Sequence, residues 1–201
     1  MAKLYFRYGT MGSGKSIDLL KVAYNYEERN QKCLLMVPSI DNRYGVGKVT
    51  TRIGISREAY IINEDTNIYE YVSSLLEKPN CILVDECNFL TKKHVNELSD
   101  VVDNFDIPVL CYGLRADAFG HVFPGSLRLF EIADKIEEMK AICKCGNKAT
   151  FNLRLNKINE EYIPVFEGEQ IAIAGSDSEY DSVCRRCYKK LRKEYGKKEE
   201  K

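Results

Sequence analysis

Gly9-Thr10-Met11-Gly12-Ser13-Gly14-Lys15-Ser16 spells G-x-x-x-x-G-K-S, the P-loop pattern. Leu4-Tyr5-Phe6-Arg7-Tyr8 before it reads as a strand, and Ile17 to Tyr24 after it as a helix. The pattern needs that setting. Its glycines let the chain wrap with N–H groups turned inward, and those donors, with the helix N-terminus, favour a phosphate anion. The residues from Gly9 to Gly14 are therefore expected to cradle a nucleoside triphosphate. Lys15 is expected to reach its β- and γ-phosphates, and the Ser16 hydroxyl to ligate Mg²⁺.

Further along, Cys81-Ile82-Leu83-Val84-Asp85-Glu86 sets four apolar residues before two acids, the Walker B pattern. Asp85 is expected to face Ser16 and hold the waters of the metal. Glu86 is placed to accept a proton from an attacking nucleophile. Water as that nucleophile makes an ATPase and a substrate hydroxyl makes a kinase; the motif itself leaves both open.

The surrounding pattern alternates. Lys32 to Val37, ended by Pro38, is a continuous apolar run that reads as a buried parallel strand. Ser39 to Arg57 reads as one long polar, glycine-containing loop, and Ala59 to Ile62 as a short strand. Thr66 to Glu77 has helical spacing and is stopped by Pro79; Thr91 to Phe105 is a second amphipathic helix. Ile107 to Tyr112 is the next strand, with a turn expected at Gly113. Strands alternating with helices predict an α/β fold: a P-loop NTPase (RecA-like) parallel sheet with helices on both faces, binding phosphates at the C-terminal strand ends.

The chain has 201 residues, a formal net charge of zero, 44% hydrophobic and 30% charged residues. That is enough length for one substantial core with a small appendage. Neutrality gives no bulk pull toward nucleic acid or an anionic membrane, and no apolar run reaches spanning length. With no leader visible, the cytoplasm is the expected compartment. Eight cysteines are then thiols or metal ligands rather than disulfides. Cys33, Cys81 and Cys111 lie in apolar strands and read as small buried hydrophobes. Cys143-x-Cys145 and Cys184-x-x-Cys187 instead frame one hairpin-rich region. Four thiolates on two knuckles make a closed, structural zinc site; four unrelated thiols or redox pairs are the alternative. Between the knuckles, Gly168 to Tyr180 reads as a loop tied at one end by the metal.

These stretches, taken in order, resemble the type II thymidine kinases, especially bacterial members. The matching segments are the P-loop, Asp41-Asn42-Arg43-Tyr44-Gly45-Val46-Gly47-Lys48 with Arg52-Ile53-Gly54, and Leu83-Val84-Asp85-Glu86-Cys87-Asn88-Phe89-Leu90. They continue through Cys111 to Arg115, Ile142 to Gly146, Gly168-Glu169-Gln170 and Tyr180 to Arg185. The resemblance implies transfer of the ATP γ-phosphate to the 5′-hydroxyl of thymidine, with deoxyuridine as a second substrate, giving dTMP and ADP in salvage. It implies a homotetramer inhibited by dTTP, with no nucleic-acid or membrane partner. By position, Glu86 matches the general base. Asp41, Arg43 and Asn88 join the P-loop and Asp85 around the triphosphate. Phe89, Leu114, Ala118 and Phe123 line the thymine pocket. Ile171, Ala172, Ile173 and Ala174 form a lasso whose main chain reads the base, and Tyr180 lies at the sugar. Asn88 stands where relatives carry Gln, and Ala118 where many carry an aromatic, with Phe119 or Phe123 available nearby to compensate. The lasso has Ala174-Gly175 in place of Gly-Gly and is one residue longer. The implied division is 1–142 P-loop kinase domain, 143–191 zinc-binding lasso domain and 192–201 frayed charged tail. A nucleic-acid-stimulated ATPase with a Cys₄ ribbon, and a nucleotide sensor without turnover, are the competing readings.

Overall fold

A computed structural model of the chain describes residues 1–40, 47–170 and 178–196. Its centre is a six-stranded, all-parallel sheet in the order β5-β2-β6-β7-β1-β8. The strands are β1 (Leu4–Gly9), β2 (Cys33–Pro38), β5 (Tyr60–Ile62), β6 (Cys81–Val84), β7 (Val109–Leu114) and β8 (Lys135–Met139). Both faces are covered, so each strand divides its apolar residues between two cores. Along β6, Ile82 and Val84 join the core under helices α2 (Ile68–Ser74), α3 (Lys92–Phe105) and α4 (Pro124–Ile132). Cys81 and Leu83 point the other way, toward Leu19, Leu20 and Ala23 of helix α1 (Lys15–Glu27). This period of two within a continuous apolar run is the signature of a parallel strand buried on both sides.

The helices begin where their caps predict. Thr91 accepts the N–H of His94 and the His94 ring accepts the N–H of Thr91, which fixes the start of α3. The Asn67 side chain accepts from Glu70 N–H at the start of α2. That helix stops at Ser74, short of the expected Glu77. Leu75 turns extended, Leu76 is fully exposed, and Lys78 Nζ takes the carbonyls of Ser73 and Leu75 ahead of Pro79.

Two other expectations are corrected. No turn occurs at Gly113: β7 continues through it to Leu114, paired with β1. Glycine is required there by crowding, since a Cβ would lie 2.6 Å from Cys87 Sγ and 2.8 Å from Asn88 Oδ1. The Ser39–Arg57 loop carries a hairpin, β3 (Lys48–Thr50) with β4 (Ser56–Glu58). The pair α4 and β8 was not read from the sequence at all; β8 is a charged edge strand, Lys-Ile-Glu-Glu-Met, without the apolar run that marks the others.

The C-terminal part is a separate small sheet, β12-β11-β13, built from β11 (Phe151–Ile158), β12 (Glu161–Val165) and β13 (Ser178–Val183). A short pair, β9 (Ala141–Ile142) with β10 (Lys148–Ala149), carries the first cysteine knuckle. Helix α5 (Arg185–Tyr195) starts at the second knuckle and runs regularly past residue 192. Its Tyr188 stacks on Phe151 at 4.6 Å and meets Phe166 edge-on at 5.4 Å. Among the described residues no helix is long and apolar enough to cross a membrane.

Candidate active site

The P-loop joins β1 to α1 at the C-terminal edge of the sheet. Gly12 and Gly14 hold φ of 74° and 82°, values that let the loop wrap and that a side chain would strain. Lys15 is buried, and its Nζ folds back to the Thr10 carbonyl at 2.9 Å. The Ser13 N–H also reaches the Thr10 carbonyl, at 3.3 Å, closing a tight turn. Met11 is held from outside the loop: its N–H donates to Asn152 Oδ1 at 2.8 Å, and its carbonyl accepts from Ser182 Oγ.

Ser16 and Asp85, expected to share a metal, are already in contact. Ser16 Oγ donates to Asp85 Oδ2 at 2.8 Å, and Glu86 N–H donates to Asp85 Oδ1 at 3.0 Å. Burial, together with the charge of neighbouring Glu86, pushes the Asp85 carboxyl up to about 6 despite those two donors and Lys15. A buried carboxylate held against a P-loop hydroxyl is the donor chemistry that Mg²⁺ takes.

Glu86 follows with φ 48° and ψ 37°, a left-handed conformation unusual for a residue with a side chain. It leaves the strand end abruptly and caps a 3-10 turn, Cys87–Phe89. Asn88 in that turn is completely buried; its Oδ1 accepts the Leu114 N–H at 2.9 Å, while its Nδ2 has no hydrogen-bond partner among the described residues. The Asn88 amide thus anchors the turn to β7.

On the other side of Glu86, Phe89 meets Phe123 edge-on, ring centroids 5.6 Å apart. Leu114, Ala118 and Phe123 are buried. Ala118 offers its carbonyl to Tyr188 Oη at 2.7 Å. Of the two aromatics near Ala118, Phe123 is the one beside Phe89. Phe119 instead lies under the Arg154 guanidinium, 5.5 Å from ring centroid to Cζ. Arg154 also donates to the Glu169 carbonyl at 3.1 Å, at the root of the lasso stretch. Tyr180 sits half-buried on β13, directly across from Arg154. Asp41, Arg43, Ile171, Ala172, Ile173 and Ala174 lie outside the described residues.

Cys143, Cys145, Cys184 and Cys187 converge, all four Sγ atoms within 4.8 Å of one another. Cys145 Sγ is 3.5 Å from both Cys143 Sγ and Cys184 Sγ. Zinc bonds of ~2.3 Å set sulfur–sulfur edges of about 3.8 Å in a tetrahedron, so the cluster is close to the required size. Hydrogen bonds from the Asn147 backbone and side chain draw the Cys145 thiol down to about 6. Those to Cys145, Cys184 and Cys143 push Cys187 up to about 12. Four sulfurs this close ionise together only around a cation, and the cluster fits zinc.

Sequence reasoning missed Asn152 and Ser182, which carry no motif, and the position of Arg52. That guanidinium lies over the P-loop, where a Cβ on Gly12 would be 3.4 Å from its Nη1. A basic residue following a glycine-bearing loop was the only signal available.

A glycine-wrapped loop at a parallel sheet edge, a buried Ser–Asp contact and an acid one residue beyond define a P-loop nucleotide-binding protein. The family described as thymidine kinase matches residues 2–188. The thymidine kinase of Haemophilus influenzae is 53% identical over 191 residues, covering 94% of this chain and 97% of its own. That of Mannheimia succiniciproducens is 53% identical over 187 residues, 92% of this chain and 94% of its own. That of Lactococcus lactis is 50% identical over 189 residues, 94% and 97%. The chain belongs to the thymidine kinase family. Among solved structures, the Legionella pneumophila ATPase DotB overlaps 73% of this chain, which spans 43% of it, at a TM-score of 0.39 and 16% identity.

Proposed function

We propose that the chain transfers the γ-phosphoryl group of ATP in line to the 5′-hydroxyl of thymidine, releasing dTMP and ADP, with deoxyuridine as a second acceptor. Lys15 and the inward N–H groups of the P-loop offset charge on the triphosphate. Mg²⁺ would be held by Ser16 and, through its waters, by Asp85, and would neutralise charge between the β- and γ-oxygens. Arg52, above Gly12, adds a cation on the open side. Glu86 orients the 5′-hydroxyl and takes its proton as the oxygen bonds to phosphorus, while the β–γ bridging oxygen leaves with ADP. Because the transition state is loose, positioning and fixed charge supply most of the acceleration.

The observation that carries this reading is the placement of Glu86. Its backbone turns left-handed one residue after the Asp85–Ser16 contact, between that contact and the Phe89–Phe123 pair. In this reading its carboxylate serves a phosphate site on one side and an aromatic slot on the other. The thymine ring would lie against Phe89 and Phe123, over Leu114 and Ala118, with Tyr180 at the sugar. The main chain of Ile171 to Ala174 would read the base edge, and Asp41 and Arg43 would join the triphosphate side. A base whose donors and acceptors do not match leaves a buried polar group unpaired, at about 1–3 kcal/mol, and this discriminates against cytosine.

Residues 1–142 form the catalytic part in this reading, 143–191 the lasso part stabilised by structural zinc, and 192–201 a charged tail. The enzyme works in the cytoplasm as a homotetramer under feedback inhibition by dTTP. A panel of nucleosides with ATP and Mg²⁺ tests the reading: thymidine and deoxyuridine should yield monophosphate, cytidine and purine nucleosides should not. Release of phosphate without any nucleoside monophosphate would contradict it.

A further inference from the structure

The N–H and the carbonyl of Met11, which belong to the successive Thr10–Met11 and Met11–Gly12 peptide planes, both bond into the C-terminal sheet. Asn152 Oδ1 takes the N–H at 2.8 Å and Ser182 Oγ donates to the carbonyl. These partners come from 141 and 171 residues further along the chain. They are not two accidents, because Asn152 and Ser182 are register partners on β11 and β13 and so emerge side by side on one face of that sheet. Both are more than nine-tenths buried. The second half of the Asn152 amide is spent as well: Nδ2 donates to the Ala116 carbonyl at 2.9 Å, in the segment that follows β7. One amide therefore ties the phosphate loop, the segment leading to Ala118 and the C-terminal sheet together.

A P-loop binds phosphate by presenting several N–H groups at once, and its glycines leave each peptide plane free to rotate. Holding one group on each of the two peptide planes that flank Met11 restrains their rotation at the base of Gly12-Ser13-Gly14. The N–H groups of that tripeptide then need less ordering when the triphosphate arrives, which is how preorganisation raises affinity. The N–H of Met11 itself is spent on Asn152, and the burden of phosphate contact falls on the residues after it.

We propose that Asn152 and Ser182 are positioning residues for ATP: a cross-strand clamp by which the C-terminal sheet holds the phosphate loop in its binding conformation. The inference rests on the proposed reaction only in taking ATP as the ligand. For Ser182, whose side chain bonds the phosphate loop, it predicts an effect on nucleotide alone, where a merely structural role would disturb both substrates or only the melting point.

The test compares Asn152→Ala, Ser182→Ala and Ser182→Thr with the parent. The control is Ser178→Ala, which removes a bond of the same kind to Asn156 within the same sheet. Ser182→Ala should raise the ATP KM about three- to tenfold, the worth of one hydrogen bond, and leave the thymidine KM unmoved; Asn152→Ala, which also frees the Ala116 carbonyl ahead of Ala118, should raise the ATP KM at least as much. Ser182→Thr should restore it, and Ser178→Ala should match the parent. Titration of MgATP into each protein without nucleoside should show the same loss. If Asn152→Ala does not fold, Ser182→Ala, which leaves both Asn152 bonds in place, carries the test. Clamp variants that bind MgATP as tightly as the parent overturn the proposal, even with thymidine phosphorylation intact. A parent that binds MgATP without phosphorylating thymidine, while the variants bind it less well, upholds the clamp and removes the proposed reaction instead.

Discussion

Glu86 occupies a left-handed backbone conformation that costs an ordinary residue of order 1 kcal/mol or more. Glu86→Gln preserves shape and removes the proton acceptor. It should lower kcat by about 10²-fold or more with the thymidine KM little changed, measured by ADP release at saturating ATP; a near-normal kcat would exclude Glu86 as the base. Gly113 is constrained by a close approach. A methyl group there meets Cys87 Sγ at 2.6 Å and Asn88 Oδ1 at 2.8 Å, both in the turn that carries Glu86. Gly113→Ala should destabilise by about 1–3 kcal/mol in urea denaturation, the usual range for overpacking, and lower kcat as the turn shifts. At this scale the sequence was legible in two groupings that the fold brings together, Ser16 with Asp85 and the four cysteines. It was opaque for Gly113, whose crowding comes from a turn 26 residues away, and for Asn152 and Ser182, polar residues whose partners are main-chain atoms of a distant loop.

Between elements, α1 is pinned to the sheet by a cluster of charges. Arg7 on β1 donates to Asp18 at 2.7 Å and to Tyr112 at 2.8 Å. Tyr112 donates to Asp18 at 3.0 Å, and Lys21 reaches the other Asp18 oxygen at 2.7 Å. Burial would raise the Asp18 carboxyl, but hydrogen bonds from Lys21 and Tyr112 and the charge of Arg7 outweigh it and hold the group below its ordinary value. A carboxylate depressed on folding stabilises above its unfolded pKa of about 3.9 and loses that contribution as pH falls through the lower folded value. Asp18→Asn should therefore be less stable than the parent by about 1–2 kcal/mol at pH 7, with the gap closing below about pH 4. A gap that stayed constant down to pH 3 in thermal melts would contradict this. The elements themselves were legible where burial is two-sided: β2, β6 and β7 are continuous apolar runs, β1 is marked by its aromatics and the P-loop that follows, and α3 shows its cap and its spacing. Edge strand β8 and helix α4 were not, because an edge strand needs few apolar residues, and nine residues starting at Pro124 give little periodicity. The end of α2 depended on the Lys78 side chain, which no pattern reports.

For the molecule as a whole, the α/β architecture followed from alternation, whereas the docking of the second sheet on the phosphate loop is a tertiary fact that spacing does not encode. That sheet has a core of few residues around Leu153, Val183 and Tyr188, small enough to lean on a metal. Cys184→Ser should lose bound zinc, measured by metal analysis, and lose most kinase activity as the strand leading to Ser182 loosens. Cys33→Ser, on a strand remote from the cluster, should keep its zinc. The proposed active arrangement sets a triphosphate at Lys15 and a deoxysugar hydroxyl at Glu86. The measurement that tests it most directly follows label from [γ-³²P]ATP with thymidine, Mg²⁺ and zinc-loaded protein. The account predicts label in dTMP, one for each ADP formed, and almost no ADP when thymidine is omitted. ADP formed without thymidine, or raised by DNA or RNA in its place, with no labelled dTMP, would contradict it.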